Sequence, residues 1–302
     1  MGRGQRDPGP DGVAVVDKPA GWTSHDVVAR SRGLLGTRKV GHSGTLDPDA
    51  TGVLVLGVGR ATRLLRYLTP LGKAYEAEIV LGVETSTLDA AGEVTARHDM
   101  AGVTLADVQR AAAAFRGDIL QVPPMVSALK VGGRRLHELA REGIEVERKA
   151  RPVTIHRLEV RAAAPRDGDG DLAFEIEVEC SAGTYIRTLA ADLGTALGGG
   201  AHLHRLRRTA VGPFGLADAC TLEALGPDRL LPLSAAVRHL DRVEVGPEVA
   251  SAVATGKVLV DAALGGDGDG PWAVLDGDGG LLAVYERYGD GTAKPSVVLV
   301  AR

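Results

Sequence analysis

The stretch LAFEIEVEC at residues 172–180 constrains the fold most, because apolar and polar side chains alternate along it. The apolar residues at even positions, from Leu172 to Cys180, share one face of an extended chain, and three glutamates share the other. Such a strand buries one face and exposes the other to water. Strands of all-parallel sheets are covered on both faces, so the pattern predicts an antiparallel or mixed sheet.

Other segments show the periodicities of strands and helices. Strand patterns occur at 13–17, 38–41, 52–57, 74–82 and 152–162. Helical patterns occur at 59–68, 104–115, 134–142 and 185–197. A further helix begins after Thr23, which has capping-box spacing to Asp26. Because strands and helices alternate without the regular spacing of a doubly wound fold, we predict the α+β class.

The pattern changes after the Pro/Gly break at residues 226–234. Beyond it, short apolar segments are separated by Asp-Gly and Gly-Gly turns, which is typical of a small β-rich module. We therefore predict a large α+β domain over residues 12–238 and a small β-rich domain over residues 239–302. Residues 1–11 are predicted to form a flexible tail.

Composition argues against several classes of protein. A chain of 302 residues with 44% apolar content can form a proper core. Its two cysteines, Cys180 and Cys220, lack metal-ligand spacing, which argues against a zinc site or a disulfide framework. No run reaches the roughly 20 apolar residues that span a bilayer, and residues 1–12 lack the apolar region of a secretion signal. We expect a cytoplasmic protein without membrane contact.

Charge is distributed unevenly along the chain, although the net charge is only -4. Residues 241–302 hold 5 basic and 10 acidic side chains. Basic side chains cluster at 30–66, with 7 against 2 acidic ones, at 130–151, with 7 against 4, and at 202–208, with 3 arginines and no acid. Each run alone is typical of a solvated surface, but three runs in one domain favour a polyanion partner.

The stretch GHSGTLDPDATG at residues 41–52 has three interpretations. Its glycines and proline can form a turn between two strands. Ser43 has nearly the setting of a G-x-S-x-G nucleophile elbow, but Thr45 replaces the last glycine and Pro48 falls where a helix should follow. Alternatively, Asp47 is the reactive group, since a rigid loop holds a nucleophilic carboxylate in one geometry. A single essential carboxylate suits a glycosidic-bond reaction that does not use water.

This stretch resembles the G-H-T-G-T-L-D-P-x-A-T-G signature of the TruB family of tRNA pseudouridine synthases, with Ser43 in place of threonine. Five further blocks resemble the family in the same order. They are VVDKPAGWTSHDVV (15–28), KAYEAEIVLGVETSTLDAAGEV (73–94), FRGDILQVPPMVSALKVGGRRLHELAREG (115–143), CSAGTYIRTLAADLG (180–194) and GGGAHLHRLRRTAVGPF (198–214). With six ordered blocks, the chain is identified as a member of this family.

The resemblance implies a fold and a reaction. The fold is the pseudouridine synthase fold, with a mixed, largely antiparallel central sheet flanked by helices, followed by a small PUA-like domain. The reaction converts uridine to pseudouridine by cleaving the C1′–N1 bond, turning the base and rejoining it through C5. Asp47 matches the catalytic aspartate, and the first chemical step stays open between addition to the sugar and removal of a sugar proton. The resemblance implies no cofactor and no metal.

Four further residues match substrate-binding positions of the family. Tyr75 matches the tyrosine that stacks on the uracil and helps to remove the C5 proton. Arg187 matches the arginine that pairs with the catalytic carboxylate, where a guanidinium fork keeps it ionised and oriented. Tyr185 stands two residues before it, and Leu206 matches an apolar residue that contacts the base. From pattern alone, Tyr75 and Leu206 can equally be core residues and Arg187 an exposed helical one.

Two weaker matches are His42 and Lys18. His42 matches a histidine that stacks beside the extruded nucleotide, although a single histidine is more often structural. Lys18 is expected to support the catalytic loop or a phosphate. Extrusion of a base requires a stacking surface and cations to hold the bent backbone, which the basic runs supply.

The insertion at residues 122–151 resembles the RNA-gripping segment of the stand-alone branch of the family. This implies a monomer without an obligatory protein partner that binds the tRNA T arm and modifies the T-loop uridine at position 55. The acidic 239–302 domain is expected to contribute little to RNA affinity. Two alternatives stay open, an RNA-binding or tRNA-folding protein that does not depend on catalysis and a serine hydrolase at Ser43.

Overall fold

The computed structural model of the protein describes residues 9–127, 129–162 and 172–299. The chain divides into two compact units. The first unit comprises Met1–Leu46, Val53–Pro70 and Gly212–Arg302. The second unit comprises Asp47–Gly52 and Leu71–Val211. Residues 1–8 of the predicted tail lie outside the described residues.

The strands and helices are numbered in chain order. The strands are β1 (Gly12–Lys18), β2 (Val40–His42), β3 (Thr51–Val58), β4 (Lys73–Leu81), β5 (Val83–Thr85), β6 (Val94–Arg97), β7 (Gly117–Gln121), β8 (Lys130–Val131), β9 (Arg134–Arg135), β10 (Arg151–Ala162), β11 (Ala173–Cys180), β12 (Ala201–Val211), β13 (Phe214–Gly215), β14 (Cys220–Thr221), β15 (Asp241–Glu244), β16 (Leu259–Val260), β17 (Trp272–Leu275), β18 (Leu281–Gly289) and β19 (Thr292–Val298). The helices are α1 (Ser24–Leu34), α2 (Leu65–Leu68), α3 (Leu105–Ala113), α4 (Leu136–Arg141), α5 (Ile186–Ala196), α6 (Pro247–Ala254) and α7 (Asp261–Leu264).

The second unit is built on an antiparallel ladder in the order β12-β4-β11-β10-β7. Thr51 and Gly52, at the start of β3, add a parallel pairing to Arg207 and Arg208 of β12. Helix α3 packs against β10 and helix α5 against β12. The predicted α+β class with a mixed, largely antiparallel sheet is therefore confirmed.

Strand β11 buries the face that the alternation predicts. Phe174, Ile176, Val178 and Cys180 are buried in a core shared with helices α3 and α5. On the other face, glutamates of β11 form ion pairs with arginines of β10, such as Arg157 with Glu177 and Glu179. The apolar residues of β11 thus belong to the same core as apolar residues of strands β4 and β12.

The first unit contains the strand order β14-β1-β3, with β2 antiparallel to β3. Helix α1 starts with the predicted capping box, in which Thr23 and Asp26 each accept a hydrogen bond from the other's backbone N–H. Residues Val27 and Val28 of this helix pack against apolar residues of β1 and β3.

The C-terminal part of the first unit forms a five-stranded sheet in the order β15-β17-β18-β19-β16. Trp272 and Tyr285 are fully buried in its own apolar core. The end of this sheet is held by residues 59–68, since the guanidinium groups of Arg60 and Arg63 donate to the carbonyls of Leu299 and Val298. The predicted β-rich C-terminal module is confirmed, and the boundary at residue 238 stays a prediction.

Two features are absent from the described ranges. No helix within them combines the length and apolar character that crossing a membrane requires. No group of three or more His, Cys, Asp or Glu side chains within them is placed to hold a metal ion.

Candidate active site

The loop that carries Asp47 is fixed by its return to the sheet. The N–H of Ala50 donates to the carbonyl of Asp47, 3.2 Å away, and the chain then pairs with β12 at Thr51 and Gly52. Gly52 has φ of 101°, and a Cβ there would stand 2.1 Å from the carbonyl oxygen of Arg208. Only glycine fits this close approach, so the glycine of the loop sets the position of the aspartate.

Arg187 pairs with Asp47 from the first turn of helix α5. Its Nε lies 3.1 Å from Oδ2 of Asp47, and its Nη2 lies 3.3 Å from Oδ1. The arginine side chain is only 4% exposed, whereas that of Asp47 is 41% exposed. A two-point contact of this kind fixes the carboxylate plane and leaves one side of the aspartate open to a ligand.

The guanidinium of Arg187 is itself held by three further acceptors. Nη1 lies 3.4 Å from Oδ2 of Asp89 and donates to the carbonyl of Thr87 at 3.2 Å. Nη2 donates to the carbonyl of Val126 at 2.7 Å. Since a buried guanidinium needs partners for its N–H groups, these contacts place Arg187 before any substrate arrives.

A cavity of about 220 Å³ opens beside this ion pair. It contains three of the predicted site residues, Asp47, Arg187 and Leu206. Leu206 pairs with Ala77 across β12 and β4 and is partly buried against the core, so it forms a wall of the cavity. The other described residues around it are Pro48, Asp49, Ala50, Thr87, Asp89, Ala90, Ala91, Val126, Leu203 and His204.

Tyr75 lies on β4 with its phenol next to Arg208. The guanidinium of Arg208 hydrogen-bonds the phenol and is 1% exposed. Burial raises the pKa of Tyr75, while the charge of Arg208 acts in the opposite direction and that of Asp47 adds to the increase. The phenol is therefore protonated near neutral pH, with a cation beside it that would stabilise a phenolate.

Tyr185 stands at the N-terminus of helix α5 and is positioned by a buried glutamine. Gln121 accepts a hydrogen bond from the N–H of Tyr185 and donates one to its carbonyl oxygen, at 2.9 and 3.1 Å. Burial raises the pKa of the Tyr185 phenol, and the hydroxyl of Ser127 acts in the opposite direction. Gln121 thus fixes the turn from which Arg187 projects.

His42 and Lys18 lie in the first unit. His42 ends β2, and its ring makes an edge-to-face contact with His25, at 5.5 Å between centroids and 81° between planes. Lys18 is fully buried, and its ammonium donates to the carbonyls of Pro19 and Trp22 at 2.9 and 2.6 Å. These contacts close the turn that follows β1.

Ser43 does not have the geometry of a nucleophile elbow. It is 1% exposed, and its hydroxyl has no hydrogen-bond partner among the residues that the structure describes. An elbow presents its hydroxyl to a substrate and to a histidine base, and Ser43 meets neither requirement. The structure therefore gives no support to the hydrolase interpretation.

Several residues that hold the site together were not predicted from the sequence. Asp89 belongs to the T-x-T-x-D block, and Gln121 belongs to the 115–143 block, but neither had a role assigned. Arg208 was counted among the cations available to RNA, and the structure buries it beside Tyr75, its partner across β12 and β4. A signal was present for Arg208, since alternation along β12 points residues 206 and 208 to the same face.

Two family models match adjoining parts of the chain. Residues 32–186 match the TruB family pseudouridylate synthase (N terminal domain), and residues 187–227 match the tRNA pseudouridylate synthase B C-terminal domain. The first match includes Asp47, Tyr75 and Tyr185, and the second includes Arg187 and Leu206.

Full-length relatives show the same similarity. The tRNA pseudouridine synthase B of Arthrobacter sp. (strain FB24) is 49% identical over 294 residues, which cover 95% of this chain and 96% of the relative. That of Mycobacterium sp. (strain KMS) is also 49% identical, with 96% of each chain covered. The enzyme of Symbiobacterium thermophilum is 54% identical over 248 residues, or 82% of each chain.

Solved structures show a similar fold. A chain from an H/ACA RNP bound to a substrate RNA containing 2′-deoxyuridine has a TM-score of 0.72 and 26% identity, and the match covers 96% of this chain and 86% of that one. A chain from a Cbf5-Nop10-Gar1 complex has a TM-score of 0.71 and 30% identity, with 96% and 84% covered.

Proposed function

Since this chain belongs to the TruB family of pseudouridine synthases, an enzyme family that isomerises uridine in tRNA, we propose that Asp47 carries out this reaction on the T-loop uridine at position 55. The observation that carries the proposal is the ion pair between Asp47 and the buried Arg187 at the edge of a cavity. An oriented carboxylate beside a partly apolar cavity is what a reaction at a glycosidic bond needs.

The reaction consumes no water, because the substrate and the product contain the same atoms. The C1′–N1 bond breaks, the base turns, and a C1′–C5 bond forms. A proton leaves C5 and a proton arrives at N1, so the product is an isomer of the substrate. Asp47 acts at the sugar and is regenerated, whether it first adds to C1′ or first removes a sugar proton.

Tyr75 is proposed to stack on the turned base and to assist loss of the C5 proton. Its raised pKa keeps the phenol protonated at rest, which suits stacking in a buried site. When the phenol releases its own proton and takes up the proton from C5, the hydrogen bond from Arg208 stabilises the intervening phenolate. Tyr185 and Leu206 are proposed to complete the binding surface, with His42 beside the extruded nucleotide and Lys18 supporting the loop that follows it.

The hairpin of the insertion supports an RNA partner. Strands β8 and β9 place Lys130 directly opposite Arg135, and Lys130 and Arg134 are exposed. Like charges directly opposite each other destabilise an isolated strand pair. A polyanion such as the T arm of tRNA compensates this repulsion, which favours residues 122–151 as the RNA-gripping segment.

Three finer points belong to the same proposal. We propose that the enzyme works as a cytoplasmic monomer, without an obligatory protein partner. The C-terminal module from residue 239 is proposed to be PUA-like and to add little RNA affinity, because its acidic balance repels phosphates. The domain boundary at residue 238 is consistent with the start of β15 at Asp241.

The test is an incubation of the full chain with an unmodified tRNA transcript, without added cofactor, followed by mapping of pseudouridine. We expect product at the T-loop uridine alone. The Asp47→Asn variant should bind the transcript with unchanged affinity and give no product. Product formed by Asp47→Asn would refute the catalytic role, and a wild-type chain that binds tRNA without modifying it would favour the tRNA-folding alternative.

A further inference from the structure

His204 lines the cavity beside Asp47 and has no part in the reaction described above. It lies on β12, two residues before Leu206. Its Nε2 is 3.9 Å from Oε1 of Glu78 on the neighbouring strand β4, and the two side chains are 24% and 13% exposed. An ionisable pair with little exposure in a catalytic cavity is a candidate for contact with the substrate.

Strand geometry directs His204 into the cavity. Leu203 pairs with Ile79 and Arg205 pairs with Glu78, so β12 has a bulge in which His204 is the extra residue. In a regular strand, neighbouring side chains point to opposite faces, yet both Leu203 and His204 line this cavity. Bulges redirect side chains in this way next to active sites.

Charges around the cavity indicate what His204 contacts. Among the described residues that line it, carboxylates come from Asp47, Asp49 and Asp89, and the guanidinium of Arg187 already pairs with two of them. A phosphate would be repelled by this set, whereas an uncharged base would not. Apolar surface for a ring comes from Val126, Leu203 and Leu206.

We propose that His204 pairs with Glu78 through Nε2–H and donates a hydrogen bond from Nδ1–H to a carbonyl oxygen of the target uracil; this rests on the proposed function. Uracil turned about the axis through N3 and C6 exchanges N1 with C5 and also O2 with O4. A donor fixed in the cavity therefore meets a carbonyl oxygen both before and after the turn. His204 holds the detached base in both orientations and breaks no bond itself.

The test uses single-turnover rates at saturating enzyme, with tRNA transcripts that carry uridine, 2-thiouridine or 4-thiouridine at the target position. His204→Phe keeps a ring and removes the donor, and we expect its rate on uridine to fall about tenfold. His204→Gln keeps a donor and should lose less than about threefold. Sulfur is a weaker acceptor, so the thio transcripts should slow the wild type and His204→Gln more than they slow His204→Phe.

Three controls separate contact with the base from a structural role. Glu78→Gln should give a smaller loss than His204→Phe, and Glu175→Gln, an exposed glutamate opposite Glu78 on the neighbouring strand β11, should keep the wild-type rate. His204→Ala repeats the measurement if the phenylalanine does not fit, and thermal unfolding checks each fold. Equal thio sensitivity in the wild type and in His204→Phe would overturn the proposal. A wild type that forms no pseudouridine would instead overturn the proposed function.

Discussion

Lys73 is a cation buried at the start of β4, two residues before Tyr75. Its ammonium donates to the carbonyl of Leu71 at 2.6 Å. Burial, with a further contribution from the charge of Arg208, lowers the pKa of Lys73 from 10.5 to about 8. A charged lysine in this place therefore opposes folding at neutral pH.

The sign of the pH effect follows from the lowered pKa. Between pH 8 and 10.5 the unfolded chain holds a proton on Lys73 that the folded chain has lost, so the free energy of unfolding rises with pH through this window. Lys73→Met removes this dependence. Between pH 7 and 10.5 the wild type should gain up to about 3 kcal/mol in its free energy of unfolding from this lysine, and the variant should not. The difference between the two proteins is measured by urea unfolding over this pH range. A difference that stays constant with pH would contradict this assignment.

At the level of single residues, the contact between Asp47 and Arg187 could be predicted from the sequence. The structure pairs Asp47 with Arg187, as the resemblance implies, although 140 residues separate them. That Asp89, Thr87 and Val126 hold the same guanidinium could not be predicted, because these contacts depend on loops that meet only in the folded chain.

Among elements, the return of the Asp47 loop to β12 depends on Gly52. In Gly52→Ala the new Cβ would meet the backbone of Arg208, and the residue would be strained at positive φ. We expect the free energy of unfolding to fall by about 2 kcal/mol, and pseudouridine formation to slow at least about tenfold because Asp47 moves relative to Arg187.

Gly33→Ala is the matched control. Gly33 lies in helix α1, and a Cβ added there would meet no heavy atom of the described residues within 4 Å beyond its chain neighbours and its own helix backbone. Alanine should therefore stabilise the chain by about 0.5–1 kcal/mol. Chemical unfolding and single-turnover rates of both variants provide the check. An unchanged rate in Gly52→Ala would show that the loop holds Asp47 by other contacts.

Element types were predictable where the periodicity was strong, as in β11 and in helix α1 with its capping box. The predicted helix at 59–68 is instead a 3-10 helix over Gly59–Leu64 followed by the short α2. Asp11 accepts hydrogen bonds from the backbone and side chain of Arg60, and Gly59 takes positive φ. These contacts hold the first turn in the tighter 3-10 form. Helix propensity could not predict this, because Asp11 and Arg60 are 49 residues apart in the sequence.

For the whole molecule, the uneven charge distribution predicts which part binds tRNA. Replacing Lys130 or Arg135 of the hairpin with glutamine should lower tRNA affinity about fivefold and reduce the slope of log affinity against log salt by about 1. Stability should not fall, because each change relieves a like-charge pair.

Lys257→Gln serves as the matched change in the acidic C-terminal module, where Lys257 is exposed. Its affinity for tRNA should stay within about twofold of wild type over the same salt series. A larger loss for Lys257→Gln than for the hairpin variants would overturn the proposed division between the two regions.

The sequence by itself determined the mixed sheet, the capped helix and the family, and it singled out Asp47 as the proposed reactive carboxylate, because alternation, cap spacing and ordered motifs are local properties of the chain. Only the tertiary structure decided that Arg208 is buried beside Tyr75, that Gln121 holds the start of α5 and that a bulge turns His204 into the cavity. A period-2 pattern assigns a side chain to a face of a strand. Which neighbour covers that face depends on strand order and register, and these are set by contacts between distant segments.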